Sequence, residues 1–232
     1  MKFTKVLYPA LVLILTFTSV FAQKENDLAS WTSLQLGYDL DDNWDLGLEG
    51  QFRLKSNISV VDEYFSEFFV RRKLLKGFRI ALALRYIREN DNIGRIQGYE
   101  NHFRFHIDAD YKHKLGDIRL GYRLRYQNKR ELGVSDDQDN FPINRLRFKT
   151  GVEYKIKNWP LDPELAVELF SRFEKNEDTE LDKYRITLGT SYSFKKAGDL
   201  GVYYRRESDI NNENSDNQHI IGLKYKYTFE NL

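Results

Sequence analysis

Residues 97–129 read QGYENHFRFHIDADYKHKLGDIRLGYRLRYQNK, and their alternation decides the fold. Tyr99, Asn101, Phe103, Phe105, Ile107, Ala109 and Tyr111 fall on one face, and Glu100, His102, Arg104, His106, Asp108 and Asp110 on the other. After Lys114, Leu115, Gly116 and Asp117 the alternation resumes, with Ile118, Leu120, Tyr122, Leu124 and Tyr126 set against Arg119, Gly121, Arg123, Arg125 and Gln127. Successive side chains of an extended chain point to opposite sides, so period two over this length predicts two β-strands joined by a tight turn. Each strand is long enough to cross a bilayer, for which roughly 9 to 11 tilted residues suffice.

The same rule holds outward in both directions. Upstream, Leu34, Leu36, Tyr38 and Leu40 form one apolar face. Trp44, Leu46, Leu48, Phe52 and Leu54 form the next, opposite Asp45, Glu49, Gln51, Arg53 and Lys55. A polar loop is expected over 56–63, followed by strands marked by Phe68 and Val70 and by Ile80, Leu82, Leu84 and Tyr86. Downstream, alternating segments begin near Arg145, Leu165, Tyr184, Leu200 and His219. Connections alternate between short turns and longer polar loops, the asymmetry of an outer-membrane barrel with periplasmic turns and extracellular loops. Aromatics cluster at strand ends, with Tyr38, Trp44, Tyr111, Tyr154 and Phe194 near the turns and Tyr64, Tyr86, Tyr99, Tyr126 and Tyr204 near the loops. Such clusters match the two girdles at the membrane interfaces. The fold class expected is therefore all-β, a transmembrane antiparallel up-and-down β-barrel. Eleven segments are legible, but bacterial single-chain barrels carry an even number. The expectation is thus about 12 strands, with 10 as the alternative, and an extra short strand or lumenal segment is placed at 23–30.

The 232 residues suffice for one such domain. Mean hydropathy is negative, which a membrane barrel tolerates because only alternate residues face lipid. Residues 1–22 read as a secretory signal peptide, with Lys2 and Lys5 before an apolar run and a small-residue site ending at Ala22. The barrel domain is then 23–232. With no cysteine, the chain has neither a disulfide framework nor a lipidated cysteine. Lys plus Arg number 36 against 35 Asp plus Glu, which gives no bias toward nucleic acid. The partners expected are outer-membrane lipid and, during biogenesis, periplasmic chaperones and the barrel-insertion machinery. The localisation expected is the cell outer membrane, after secretion across the inner membrane.

No pattern of residues demands an enzyme or a cofactor. His102 and His106 share a face but stand roughly 13 Å apart along a strand, too far to share one metal ion. There is no nucleophile elbow, phosphate loop or HExxH helix. Asp136, Asp137, Asp139 and Asn140 lack the glycine and terminal glutamate of a calcium loop. Two alternatives stand beside a structural or narrow-channel role. A lipid hydrolase or acyltransferase embedded in the wall would need a serine activated by a histidine on the outer surface. A soluble periplasmic lipid-binding barrel would turn its apolar face inward.

The Asp41-Asp42-Asn43-Trp44 turn into Leu46–Arg53, the early strand at Trp31 and the ending from His219 to Phe229 together resemble a known family, the domain of unknown function numbered 2490. The resemblance covers the whole mature chain. It implies a small outer-membrane β-barrel of Gram-negative bacteria and carries no catalytic residues.

The lumenal face is rich in arginine, so a wide interior would favour anions, while a narrow one would be filled by ion pairs. Parity requires an even position to pair with an odd one in the central hairpin. A turn at Leu115 and Gly116 would set Lys114 opposite Asp117, Asp108 opposite Arg123 and His106 opposite Arg125. The expected lumenal ion-pair ladder then comprises Asp108, Asp110, Arg119, Arg123, Arg125, Arg104 and Glu100. As a test of the faces, Leu124→Arg or Leu188→Arg should impair insertion, at a cost of about 2 to 4 kcal/mol at the bilayer midplane. Arg123→Gln and Thr187→Gln should be milder. Folding yield in lipid vesicles measures both, and equal damage would reverse the assignment of faces.

Overall fold

A computed structural model describes residues 26–92, 97–134, 140–157, 159–173, 179–210 and 217–229. The expected signal peptide and the Asp136, Asp137 and Asp139 loop lie outside the described residues. Eleven strands follow the segments of the sequence: β1 Asn26–Asp39, β2 Trp44–Lys55, β3 Val60–Leu75, β4 Phe78–Asp91, β5 Gly98–Leu115, β6 Ile118–Glu131, β7 Ile143–Tyr154, β8 Asp162–Phe173, β9 Glu180–Phe194, β10 Gly198–Asp209 and β11 Asn217–Phe229. Each pairs antiparallel with the next, and β1 pairs with β11 to close the barrel.

Eleven strands fall between the expected 10 and 12, and the closing pair corrects the all-antiparallel expectation. In a meander with an odd number of strands the first and last run the same way, so closure must be parallel. β1 and β11 are indeed parallel, in register from Asn26 opposite Asn217 to Tyr38 opposite Phe229. No twelfth strand is needed, because residues 26–30 belong to β1 itself. Closure leaves no open edge, which is what a backbone surrounded by hydrocarbon requires.

The two faces are sorted as the alternation predicts. Leu34, Leu48, Leu82, Ile107, Leu124, Leu188 and Ile221 are exposed on the outside, while Glu67, Arg85, Arg104, His106, Asp108, Arg147 and Glu168 are buried inside. This is the reverse of what a soluble lipid-binding barrel needs. Aromatic contacts ring both ends. Tyr64 lies 6.5 Å from Phe52 and 6.1 Å from Tyr99 toward the loops, and Tyr192 and Phe194 meet at 4.6 Å toward the turns.

The loops are shorter than expected. β3 starts at Val60, because Val60 and Val61 pair with Lys55 and Leu54. The 56–59 connection is closed by three successive positive-φ residues, Ser56, Asn57 and Ile58. Conversely, the turn over 155–161, with Trp159 and Pro160, is longer than that loop, so the asymmetry of connections is not uniform.

The central hairpin keeps the expected parity and shifts its register by two. Leu115 pairs with Ile118, leaving Gly116 and Asp117 as the turn. Gly116 has φ +62°, at the first central position, where a type II′ turn takes glycine. A turn one residue earlier would place Leu115 there instead. Asp108 therefore faces Arg125, Asp110 faces Arg123 and His106 faces Gln127. Gly77 is more constrained than Gly116. Its φ is +82°, and a Cβ would stand 2.2 Å from the Lys112 carbonyl oxygen, whereas Gly116 has open space around it. Gly116→Ala is expected to cost about 1 to 2 kcal/mol, from backbone strain alone. Gly77→Ala should cost more, and thermal unfolding in detergent compares the two.

Candidate functional site

Alternation delivers one charged residue to the lumen every second position, and closure sets these residues side by side across strands. On β3, Glu67 accepts from Arg85 of β4 at 2.6 Å, with Arg104 of β5 at 3.6 Å and the His106 ring at 3.8 Å. Asp108 takes a two-pronged contact from Arg125 of β6, Nε and Nη2 each donating at 2.6 Å. Such fork-to-fork contacts fix orientation as well as supply attraction.

Glu168 of β8 is the busiest carboxylate. It accepts from Arg123 at 2.6 Å, Arg147 at 2.9 Å and Arg185 at 3.2 Å, from strands β6, β7 and β9. Arg147 also donates to Gln127 at 3.0 Å. Beyond it, Arg185 and Lys183 both hold Glu207 of β10. Arg53 of β2 pairs with Glu63 at 2.5 Å and Gln51 at 2.5 Å.

Aromatic rings fill the gaps between these charges. The Arg53 guanidinium lies 3.8 Å from the Trp31 ring centre, with Arg205 at 5.0 Å and Arg185 at 5.4 Å from the same ring. Phe65 receives Arg85 at 3.3 Å, and Phe170 receives Arg147 at 4.5 Å and Arg185 at 4.8 Å. Guanidinium planes are weakly hydrated and stack on such faces, which makes arginine rather than lysine suited to a partly dry lumen. Trp31 with Ala29 and Ile220 also forms a small apolar cluster across the parallel seam, and Tyr203 packs against it.

The belt is unbalanced. Seven guanidiniums, those of Arg53, Arg85, Arg104, Arg123, Arg125, Arg147 and Arg185, share the carboxylates of Glu63, Glu67, Asp108, Glu168 and Glu207, and an eighth, that of Arg205, donates to the Thr187 hydroxyl instead. A cavity of about 670 Å³ runs beside it. Its wall reaches from Glu89, Lys129 and Lys183 near the loops to Asp162, Ser191 and Lys226 near the turns. Fourteen basic and ten acidic side chains line it.

Of the residues expected in the ladder, Asp108 meets Arg125 rather than Arg123, because of the two-residue register shift. Arg123 turns to Glu168 instead. Arg104 joins Glu67, Arg119 pairs with Glu153, and Glu100 contacts His102 at 3.2 Å, away from the other members. Asp110 lines a smaller cavity with Arg79 and Lys112. The alternation puts Glu168 and its three arginines on the lumenal face without showing that they meet, and it passes over Glu63, Glu207, Trp31, Phe65, Phe170 and Tyr203. For four of these the signal was parity, since Phe65 shares a face with Glu67, Phe170 with Glu168, and Tyr203 and Glu207 with Arg205. On the outer wall, His219 meets the Tyr204 hydroxyl at 2.5 Å, and His113 stacks against Tyr111 and Tyr122.

A family model described as "Protein of unknown function (DUF2490)" matches residues 28–219. The fold is similar to a bacterial polysaccharide outer membrane secretin, with a TM-score of 0.51 at 11% identity. The match covers 80% of this chain and 64% of that one, so the chain spans less than two thirds of that structure. It is also similar to the β domain of the Bordetella autotransporter BrkA, with a TM-score of 0.50 at 11% identity, covering 79% of this chain and 82% of that one. These likenesses show an outer-membrane β-barrel fold. No curated protein sequence matches the chain.

Glu168→Gln should leave three arginines short of a buried partner and destabilise the barrel by about 3 to 5 kcal/mol. Glu153→Gln, which touches a more exposed pair near the turns, should cost about 0 to 1 kcal/mol. Urea unfolding in detergent or lipid distinguishes the two.

Proposed function

Because the chain belongs to the DUF2490 family of proteins of unknown function, we propose its role from the lumen: a narrow passive channel of the outer membrane that favours small anions. The observation that carries this reading is a cavity whose wall extends from the loop end to the turn end and is lined by more basic than acidic groups. Spread over an apolar band roughly 25 Å tall, such a volume gives a mean cross-section on the order of 30 Å². That admits a file of water and small ions and excludes bulky solutes. Eleven strands lie between filled eight-stranded barrels and open sixteen-stranded porins, in keeping with a passage constricted by its own side chains. The expected signal peptide and the two aromatic girdles support placement in the outer membrane.

Single-channel recording in a planar bilayer tests the proposal. The expected result is a small conductance whose reversal potential under a potassium chloride gradient reports chloride preference. Glu168→Gln, if it folds, should strengthen that preference by removing a lumenal anion. Cation preference, or a bilayer that stays silent with folded protein inserted, would overturn the channel.

A further inference from the structure

Among the guanidiniums of the belt, Arg205 on β10 stands apart. Its Nε donates to the Thr187 hydroxyl at 3.0 Å. Its plane lies 4.5 Å from the Tyr203 ring centre and 5.0 Å from that of Trp31. Among the described residues it forms no ion pair with a carboxylate. The two terminal nitrogens are thus left without an acceptor on a side chain that three contacts already hold in place. Tyr203, Arg205 and Trp31 all line the large cavity. Trp31 Nε1, deep in the same cluster, is a second donor without an acceptor. Tyr203 is itself seated firmly, because its ring fills the space that a side chain at residue 222 would take: a Cβ on Gly222 would stand 1.9 Å from the ring.

A guanidinium in a partly dry lumen is costly without a counter-charge, and the belt is three carboxylates short of its arginines. A planar fork with two free N–H groups matches the two oxygens of a carboxylate or phosphate group. We infer that the lumen carries a built site for a small oxyanion, held by the terminal nitrogens of Arg205 beside the Tyr203 ring. The inference rests on the lumen being open to solutes, as the channel reading has it, and gives that passage a point at which an oxyanion pauses.

The test is thermal unfolding of the purified barrel in detergent, titrated with sodium phosphate and separately with sodium acetate, against sodium chloride at equal ionic strength. At least one of the two should raise Tm saturably above the chloride control, and the one with the lower half-saturating concentration names the class. Arg205→Gln should abolish the rise. Arg205→Lys, which keeps the charge but not the fork, should raise the half-saturating concentration roughly tenfold. No rise with either oxyanion, or an unchanged rise in Arg205→Gln, overturns the site. An unchanged half-saturating concentration in Arg205→Lys overturns the fork geometry and leaves only the general field of the lumen. Because this readout needs no current, a saturable rise that depends on Arg205 in a barrel that conducts nothing would uphold the site while removing the channel.

Discussion

Hydrocarbon offers no hydrogen bonds, so a backbone placed in it must satisfy every N–H and C=O from within the protein. A sheet meets that demand only by closing, and here it closes with eleven strands. Parity then leaves no choice at the seam, since β1 and β11 run in the same direction and pair in parallel. Parallel pairing is slightly weaker per residue than antiparallel, yet β1 and β11 stay in register along their length. The seam also carries a small apolar cluster, with Ala29, Trp31 and Ile220 buried together. By bringing β1 against β11, and so near β10, closure places the Trp31 ring among arginines of β2, β9 and β10.

Filling that lumen is the second physical problem. An eight-stranded barrel is packed solid and a sixteen-stranded one holds water; eleven strands leave an intermediate space. This chain fills it with long side chains that carry their own counter-charges. Arginine contributes length, a flat face for Phe65, Phe170 and Trp31, and a fork for Asp108. Two of the carboxylates are shared between arginines, Glu168 by three and Glu67 by two. The result is a belt tied across strands far apart in sequence, with a residual positive charge along the space that remains.

What the sequence made legible follows from the period of the strand. Leu124 outward and Arg125 inward are adjacent residues with opposite fates, and alternation alone assigns them. Register was not legible, because parity is blind to a shift of two, and only the backbone at Gly116 separates Asp108 facing Arg125 from Asp108 facing Arg123. The partners of Glu168 were hidden for a related reason. Arg123 lies 45 residues away, and neither residue announces the other. Trp31, Phe65 and Phe170 were overlooked because an apolar residue on a polar face looks like noise in a pattern, although in a lumen it is a platform for guanidiniums. The expected range of 10 to 12 strands brackets the eleven observed, and the odd number was not chosen because the even-number rule belongs to antiparallel closure, whereas these eleven segments close in parallel.

The account depends most on that seam, and the absence of native cysteine makes it directly accessible. Ser30→Cys combined with Ile221→Cys places two thiols on residues paired across β1 and β11, and Ser30→Cys with Leu54→Cys does the same across β1 and β2. With the barrel folded in lipid and treated with a short bifunctional thiol reagent, the eleven-stranded parallel closure predicts efficient cross-linking of both pairs, read as a mobility shift on gels. Cross-linking of Ser30→Cys/Leu54→Cys without any of Ser30→Cys/Ile221→Cys would contradict the closure and the lumen built upon it.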